Sequence, residues 1–163
     1  QACDWSSDVC SSDLPAAAAI VAALHLAAGW REAVRDASAA ALARDGWLDV
    51  GWAAGIPDGR AIIIVPDGAE RIAVFRDGAR IFAMSNRCRH QGGPLGEGRI
   101  VDGCVTCPWH GFQYRPEDGV SPPPFTEKAP VFQTRIVEGR VYVDPKPAPL
   151  GSVAPPSLWE GAQ

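Results

Sequence analysis

Four side chains in one short stretch carry metal-ligand chemistry. Cys88 and His90 stand either side of Arg89, and after sixteen intervening residues Cys107 and His110 enclose Pro108 and Trp109. Thiolates and imidazoles are both metal ligands, and two of the chain's three histidines lie here. Gly92, Gly93 and Pro94 follow the first pair, while Pro108 and Gly111 accompany the second. Each pair therefore belongs to a tight turn that keeps bulk away from whatever the ligands hold. Two divisions of these ligands make chemical sense. In one, both cysteines bind one iron of a sulfide-bridged [2Fe–2S] centre and both histidines bind the other. In the other, all four surround one Zn²⁺ and the chain is a zinc-stabilised β interaction module. The intervals favour the first, because the usual short zinc spacings pair Cys with Cys and His with His.

Cys-x-His, sixteen residues, then Cys-x-x-His, together with the run from Cys107 to Tyr114 (CPWHGFQY), resembles the Rieske motif, over roughly Gly46 to Pro145. That resemblance implies a [2Fe–2S] cluster held by Cys88, His90, Cys107 and His110. It also implies one-electron transfer, with no catalytic residue and no substrate site belonging to the chain itself. The histidines are expected near the surface as the electron port and the thiolates deeper, with Arg89 and Gln91 flanking the first histidine. Rieske proteins of respiratory cytochrome bc complexes brace their loops with a disulfide and place a serine hydroxyl on a sulfide. The matching positions here are Gly93, Trp109 and Phe112, whereas the matching Tyr114 is present to donate to a ligand sulfur. Fewer hydrogen bonds leave the reduced cluster less stabilised, so the expected potential lies in the lower part of the Rieske range of about −150 to +300 mV. The same disulfide-free pattern resembles Rieske ferredoxins and the Rieske domains of ring-hydroxylating oxygenases. A whole oxygenase also needs an iron on two histidines and a carboxylate, and only His25 remains. The implied role is an electron relay between a reductase donor and an oxidase or oxygenase acceptor. The alternative is a subunit or fragment of a ring-hydroxylating oxygenase or nitrite reductase.

The rest of the chain must position that stretch. Its 163 residues, 47% hydrophobic, suffice for one ordinary core. A net charge of −4 without a basic run excludes nucleic acid as an expected partner. Residues 1–14 fit no structural pattern; Cys3 to Leu14 (CDWSSDVCSSDL) resembles a translated sequencing adapter, and the true N-terminus is expected to be missing. Without the adapter's three aspartates, 15 basic residues face 16 acidic ones, a net charge of −1. Residues 15–45 read as an apolar helix; 15–30 carries no charge and is weighed as the end of a membrane anchor against a helix packed on the domain. Arg31, Arg35 and Arg44 then favour a cytoplasmic setting, at the cytosolic face of the membrane if the anchor exists.

From Gly46 the period becomes strand-like. Candidate strands are Asp49 to Ala53, Ala61 to Val65, Arg71 to Arg76, Ala79 to Met84, Thr134 to Val137 and Arg140 to Val143. Asp77-Gly78 and Glu138-Gly139 are the hairpin signals. The expected fold is mostly β, a Rieske-like antiparallel sandwich or barrel over residues 46–145. A cluster-binding subdomain is inserted between Met84 and Tyr114, an N-terminal helix precedes the domain, and residues 146–163 form a Pro-rich tail. Cys104 reads as a small strand residue, Pro122 to Pro124 as a segment lying against the cluster-binding unit, and Trp159 has no assigned role.

Overall fold

A computed structural model describes residues 13–161, so the adapter-like segment falls mostly outside the described residues. The chain divides into two units, residues 1–38 and 39–163. Helix α1 (Asp13–Arg44) supplies the described part of the first. Alanine, the best helix former, dominates it, and the side chains of Ile20, Val21, Leu24, His25, Leu26 and Trp30 are exposed. No described helix is long and apolar enough to cross a membrane, so the structure gives no support to an anchor over 15–30. The helix stops where Gly46 takes a φ of +82°. The Gly46 N–H donates to the Ala43 carbonyl and that of Trp47 to the Leu42 carbonyl, at 3.2 and 3.0 Å, closing the last turn in a Schellman arrangement.

The second unit is built from antiparallel strands joined by tight turns. Its base sheet contains β1 (Leu48–Trp52), β2 (Ala61–Ile64), β3 (Ile72–Asp77) and β4 (Arg80–Ser85). Between β4 and the rest of the base lie β5 (Arg99–Val101), β6 (Cys104–Thr106) and β7 (Gln113–Tyr114), a separate three-stranded sheet in the order β5-β6-β7. The base resumes with β8 (Val131–Val137) and β9 (Arg140–Pro147) and ends with β10 (Ser157–Leu158). Its order is β1-β9-β8-β4-β3-β2, and β10 pairs with β4 beyond the point where β8 leaves it. The expected β base with an inserted unit is therefore present. One hairpin shifts by a residue from its sequence signal: Asp77 pairs with Arg80 across Gly78-Ala79, with the glycine first and its φ at +59°, as a type II′ turn requires.

Alternation along β3 and β4 explains the core. Ala73, Phe75, Phe82 and Met84 enter one apolar cluster, while Ile72, Val74, Ile81 and Ala83 enter a second. Successive side chains leave a strand on opposite faces, so both faces of these strands are covered and their sequences are continuous apolar runs. The first cluster also contains Cys88, Leu95, Val105, Cys107 and Tyr114. The base sheet is thus the floor on which the inserted unit sits.

As far as residue 161 the Pro-rich end is tied to the second unit by hydrogen bonds. The Ala148 N–H donates to the Val131 carbonyl at 2.9 Å, and that of Ala154, a buried residue, to the Glu117 carbonyl at 2.7 Å. Trp159 has a docking role: its N–H donates to the Ala79 carbonyl at 2.8 Å, its ring packs against the second cluster, and the Arg76 guanidinium lies 4.7 Å from the ring centroid.

Candidate metal centre

The two turns that carry the expected ligands are copies of one loop. In the first, the Cys88 N–H donates to the Gly93 carbonyl and the Gly92 N–H to the Cys88 carbonyl, both at 2.8 Å. In the second, the Cys107 N–H donates to the Phe112 carbonyl at 2.8 Å and the Gly111 N–H to the Cys107 carbonyl at 3.0 Å. Gly92 and Gly111 hold the same place in each loop with φ of +79° and +70°, a conformation that favours glycine. The histidine sits two residues after the cysteine in one loop and three in the other, and each has a bond-matched glycine at position four. Arg115 to Val120 repeats this bonding a third time without ligands: the Arg115 N–H donates to the Val120 carbonyl and the Gly119 N–H to the Arg115 carbonyl.

These loops separate thiols from imidazoles by depth. Cys88 and Cys107 are 2% and 3% exposed, whereas His90 and His110 are exposed and meet edge to face with ring centroids 5.1 Å apart. All four expected ligands thus lie at one end of the unit, inner sulfurs and outer rings. Gly93 is where the loops touch: a Cβ there would lie 2.8 Å from Cys107 Sγ and 3.0 Å from Trp109 Cδ2. The two positions read from sequence as lacking a disulfide brace therefore do face each other, and an indole on a bare backbone joins the loops. Phe112 stacks on the His90 ring at 5.1 Å and 9° and also meets Phe125 at 4.6 Å. Pro122 and Pro123 line a cleft of about 150 Å³ with His110, Gly111 and Phe112, so the proline run does lie along the second loop.

Tyr114 connects the sulfur layer to the floor. Its hydroxyl accepts the Arg89 N–H at 2.8 Å, and its oxygen is 3.3 Å from Cys88 Sγ. Burial, then the Cys88 thiol, pushes its ionisation up, so it stays protonated. With Arg89 donating to it, the hydroxyl is placed to donate its own hydrogen to a Cys88 thiolate, which has none to give. Burial also pushes the Cys107 thiol up; the Trp109 backbone N–H opposes this and the neighbouring Cys88 adds to it. A buried thiol of this kind becomes a thiolate when a cation compensates its charge.

Sequence reasoning did not find Asn86. Its N–H donates to the Arg71 carbonyl, its carbonyl accepts from Leu95 N–H, and its side-chain Oδ1 accepts from Gly96 N–H, at 2.8, 2.8 and 2.7 Å. It is buried and ties the base of the first loop to β3's approach. Its only sequence signal is a buried-type position held by an amide two residues before a ligand. Cys104 lies half-buried in β6, as its reading as a strand residue anticipated. His25 lies on α1, in the other unit.

A [2Fe–2S] centre asks each iron to take two protein ligands, and paired inner thiols with paired outer imidazoles fit that division. A single zinc asks instead for four ligands around one point.

Known proteins agree. The chain is 42% identical over 78 residues to the anthranilate 1,2-dioxygenase ferredoxin subunit of Burkholderia cepacia, covering 47% of this chain and 72% of that one. It is 32% identical over 98 residues to ferredoxin CarAc of Metapseudomonas resinovorans, covering 60% of this chain and 92% of the relative. Among solved structures it matches one chain in a complex of reduced oxygenase and oxidized ferredoxin in carbazole 1,9a-dioxygenase, with a TM-score of 0.59 and 30% identity over 63% of this chain and 96% of that chain. The family model for the Rieske [2Fe-2S] domain matches residues 46–133, more than half of the sequence. With two thiols beneath two imidazoles on a β base, the chain belongs to the Rieske [2Fe-2S] domain family.

Proposed function

We propose that this chain is a Rieske ferredoxin that carries single electrons from a reductase to an oxygenase. The observation that carries the reading is the layering of the site, with Cys88 and Cys107 buried and His90 and His110 exposed at one end of the unit. In this reading Cys88 and Cys107 would hold one iron of the cluster and His90 and His110 the other. The [2Fe–2S] cluster supplies a one-electron couple. The protein's own part is to exclude water from the sulfur side, to aim the Tyr114 hydroxyl at Cys88, and to hold the His90 ring plane against Phe112. The two ferredoxin relatives, one named as a dioxygenase's ferredoxin subunit and covered over 72% of its length, the other named a ferredoxin and covered over 92%, support this reading over that of an oxygenase fragment. Cys88, Cys104 and Cys107 are free, which suits the reducing conditions of a cytoplasm.

The test is transfer itself. Reduced protein is mixed anaerobically with an oxidised ring-hydroxylating oxygenase of the anthranilate or carbazole type, and both absorption spectra are followed. Electron loss from this protein with matching gain by the oxygenase is expected. A protein that an NADH-dependent reductase reduces, but that leaves such oxygenases oxidised, contradicts the assignment.

A further inference from the structure

Two grooves border the ligand loops, and both are lined by arginine. One, of about 310 Å³, runs from Gly92 and Pro94 to Glu70, Arg71 and Arg87. The other, of about 350 Å³, runs from Cys107, Pro108 and Gly111 to Arg60, Glu97 and Arg99. Arg89 stands between Cys88 and His90. All five arginines are exposed, and only Glu70 and Glu97 accompany them in these grooves. Arg89 is paired with Glu70, Nη2 to Oε2 at 3.1 Å. Arg71, Arg87 and Arg99 have no ion pair among the described residues. The chain carries a net charge of −4, or −1 without the three aspartates of the adapter-like segment, whereas five arginines face two glutamates around the ligand loops, so this end has a sign opposite to that of the molecule.

Within this rim lies an apolar centre. Trp109 and Phe125 are 58% and 53% exposed, beside the exposed rings of His90 and His110. Aromatic and arginine side chains are enriched in interfaces, with apolar groups central and polar groups at the rim. Charge of one sign around such a centre attracts a partner of the other sign and turns away partners of its own. Resting on the electron-carrier reading, we propose that this end docks on an acidic face of its redox partner. That face is apolar where it meets Trp109 and Phe125 and rich in carboxylates opposite Arg71, Arg87 and Arg99. The pairing selects among redox proteins by charge, a specificity that the ligand motif alone does not provide.

The test uses the holoprotein and two small oxidants of opposite charge in stopped flow, hexacyanoferrate(III) and tris(1,10-phenanthroline)cobalt(III). Each takes one electron from the reduced protein. Raising ionic strength from about 0.01 to about 0.15 M shortens the screening length from about 30 to about 8 Å. Over that range the hexacyanoferrate rate is expected to fall by about threefold or more and the cobalt rate to rise. An Arg87→Glu, Arg99→Glu double variant that retains its iron reverses both trends, and Arg99→Glu alone shifts them the same way. Fluorescein-labelled poly-L-glutamate, standing in for the partner's carboxylates, binds the parent protein at low salt by anisotropy and loses that binding in the variants. A hexacyanoferrate rate that rises with salt, following the net charge, overturns the proposal, as does poly-L-glutamate binding that is absent or indifferent to the substitutions. A protein with no reducible centre sinks the carrier reading, whereas a reducible protein with the opposite salt trends sinks only the docking proposal.

Discussion

Tyr114 is the side chain whose chemistry bears most directly on the potential. Its hydroxyl lies 3.3 Å from Cys88 Sγ with Arg89 N–H donating to it, so it stabilises negative charge on sulfur, which is greater in the reduced state. Tyr114→Phe removes one such bond, worth on the order of 1 kcal/mol between the two redox states. At 59 mV per tenfold for one electron, the potential is expected to fall by roughly 40 mV, read by redox titration; an unchanged or raised potential contradicts the assigned direction of the bond. Gly93→Ala places a methyl group 2.8 Å from Cys107 Sγ. Because the contact is at the ligand and away from the base sheet, the expected result is a folded protein with well under half the iron of the parent, measured by metal assay beside far-ultraviolet circular dichroism. At this scale the four side chains expected as ligands stood out by residue type and spacing, and the structure places them at one end of the unit, thiols buried and imidazoles exposed. Asn86 and the stacking of Phe112 on His90 did not stand out, because each acts on groups that the fold, rather than the local sequence, brings to it.

The elements show where local signals lose force. Strands bounded by a Gly-containing turn were legible; Glu138-Gly139 has φ of +53° and +76° at its two positions, the type I′ geometry of a hairpin. Asp102-Gly103, with φ of +50° and +76°, makes the same turn between β5 and β6, yet the strands it joins have three residues each and too little periodicity to stand out. The two-residue strands β7 and β10 leave no pattern at all. The third loop, Arg115 to Val120, carries its own pH dependence. Burial pushes the Asp118 carboxyl up, but hydrogen bonds from the Arg115 side chain and the Val120 N–H, with the charge of Arg115, leave it below the ordinary aspartate range. A carboxyl whose folded-state value is depressed stabilises the fold above its unfolded value, about 3.9, and loses that contribution as pH falls through the folded one. Asp118→Asn is therefore expected to melt below the parent at neutral pH, with the gap closing as pH drops below about 4. A gap independent of pH contradicts the assigned stabilisation.

For the molecule as a whole, the chain's end closes what its middle builds. β10 extends the base sheet along β4, and Trp159 packs on the second apolar cluster beneath Arg76. A cation–π contact of this kind contributes about 0.5–1 kcal/mol, and burial of part of an indole adds about 1 kcal/mol more. Trp159→Ala is expected to lower the melting midpoint by several degrees while leaving the potential unchanged, as measured by thermal denaturation and redox titration on one preparation. A composition rich in proline gave this segment the look of a tail, because the partners that order it, from Val131 and Glu117 to Ala79 and Arg76, are remote in sequence. The layered site is the centre of the whole reading, and one measurement tests it most directly: the electron paramagnetic resonance spectrum of anaerobically purified, dithionite-reduced protein, with iron, sulfide and zinc assayed on the same sample. The expected result is the low-average-g signal of a mixed-ligand cluster with two irons and two sulfides per chain, lost with the iron in Cys88→Ser. A silent sample with stoichiometric zinc after iron-replete anaerobic expression would contradict it.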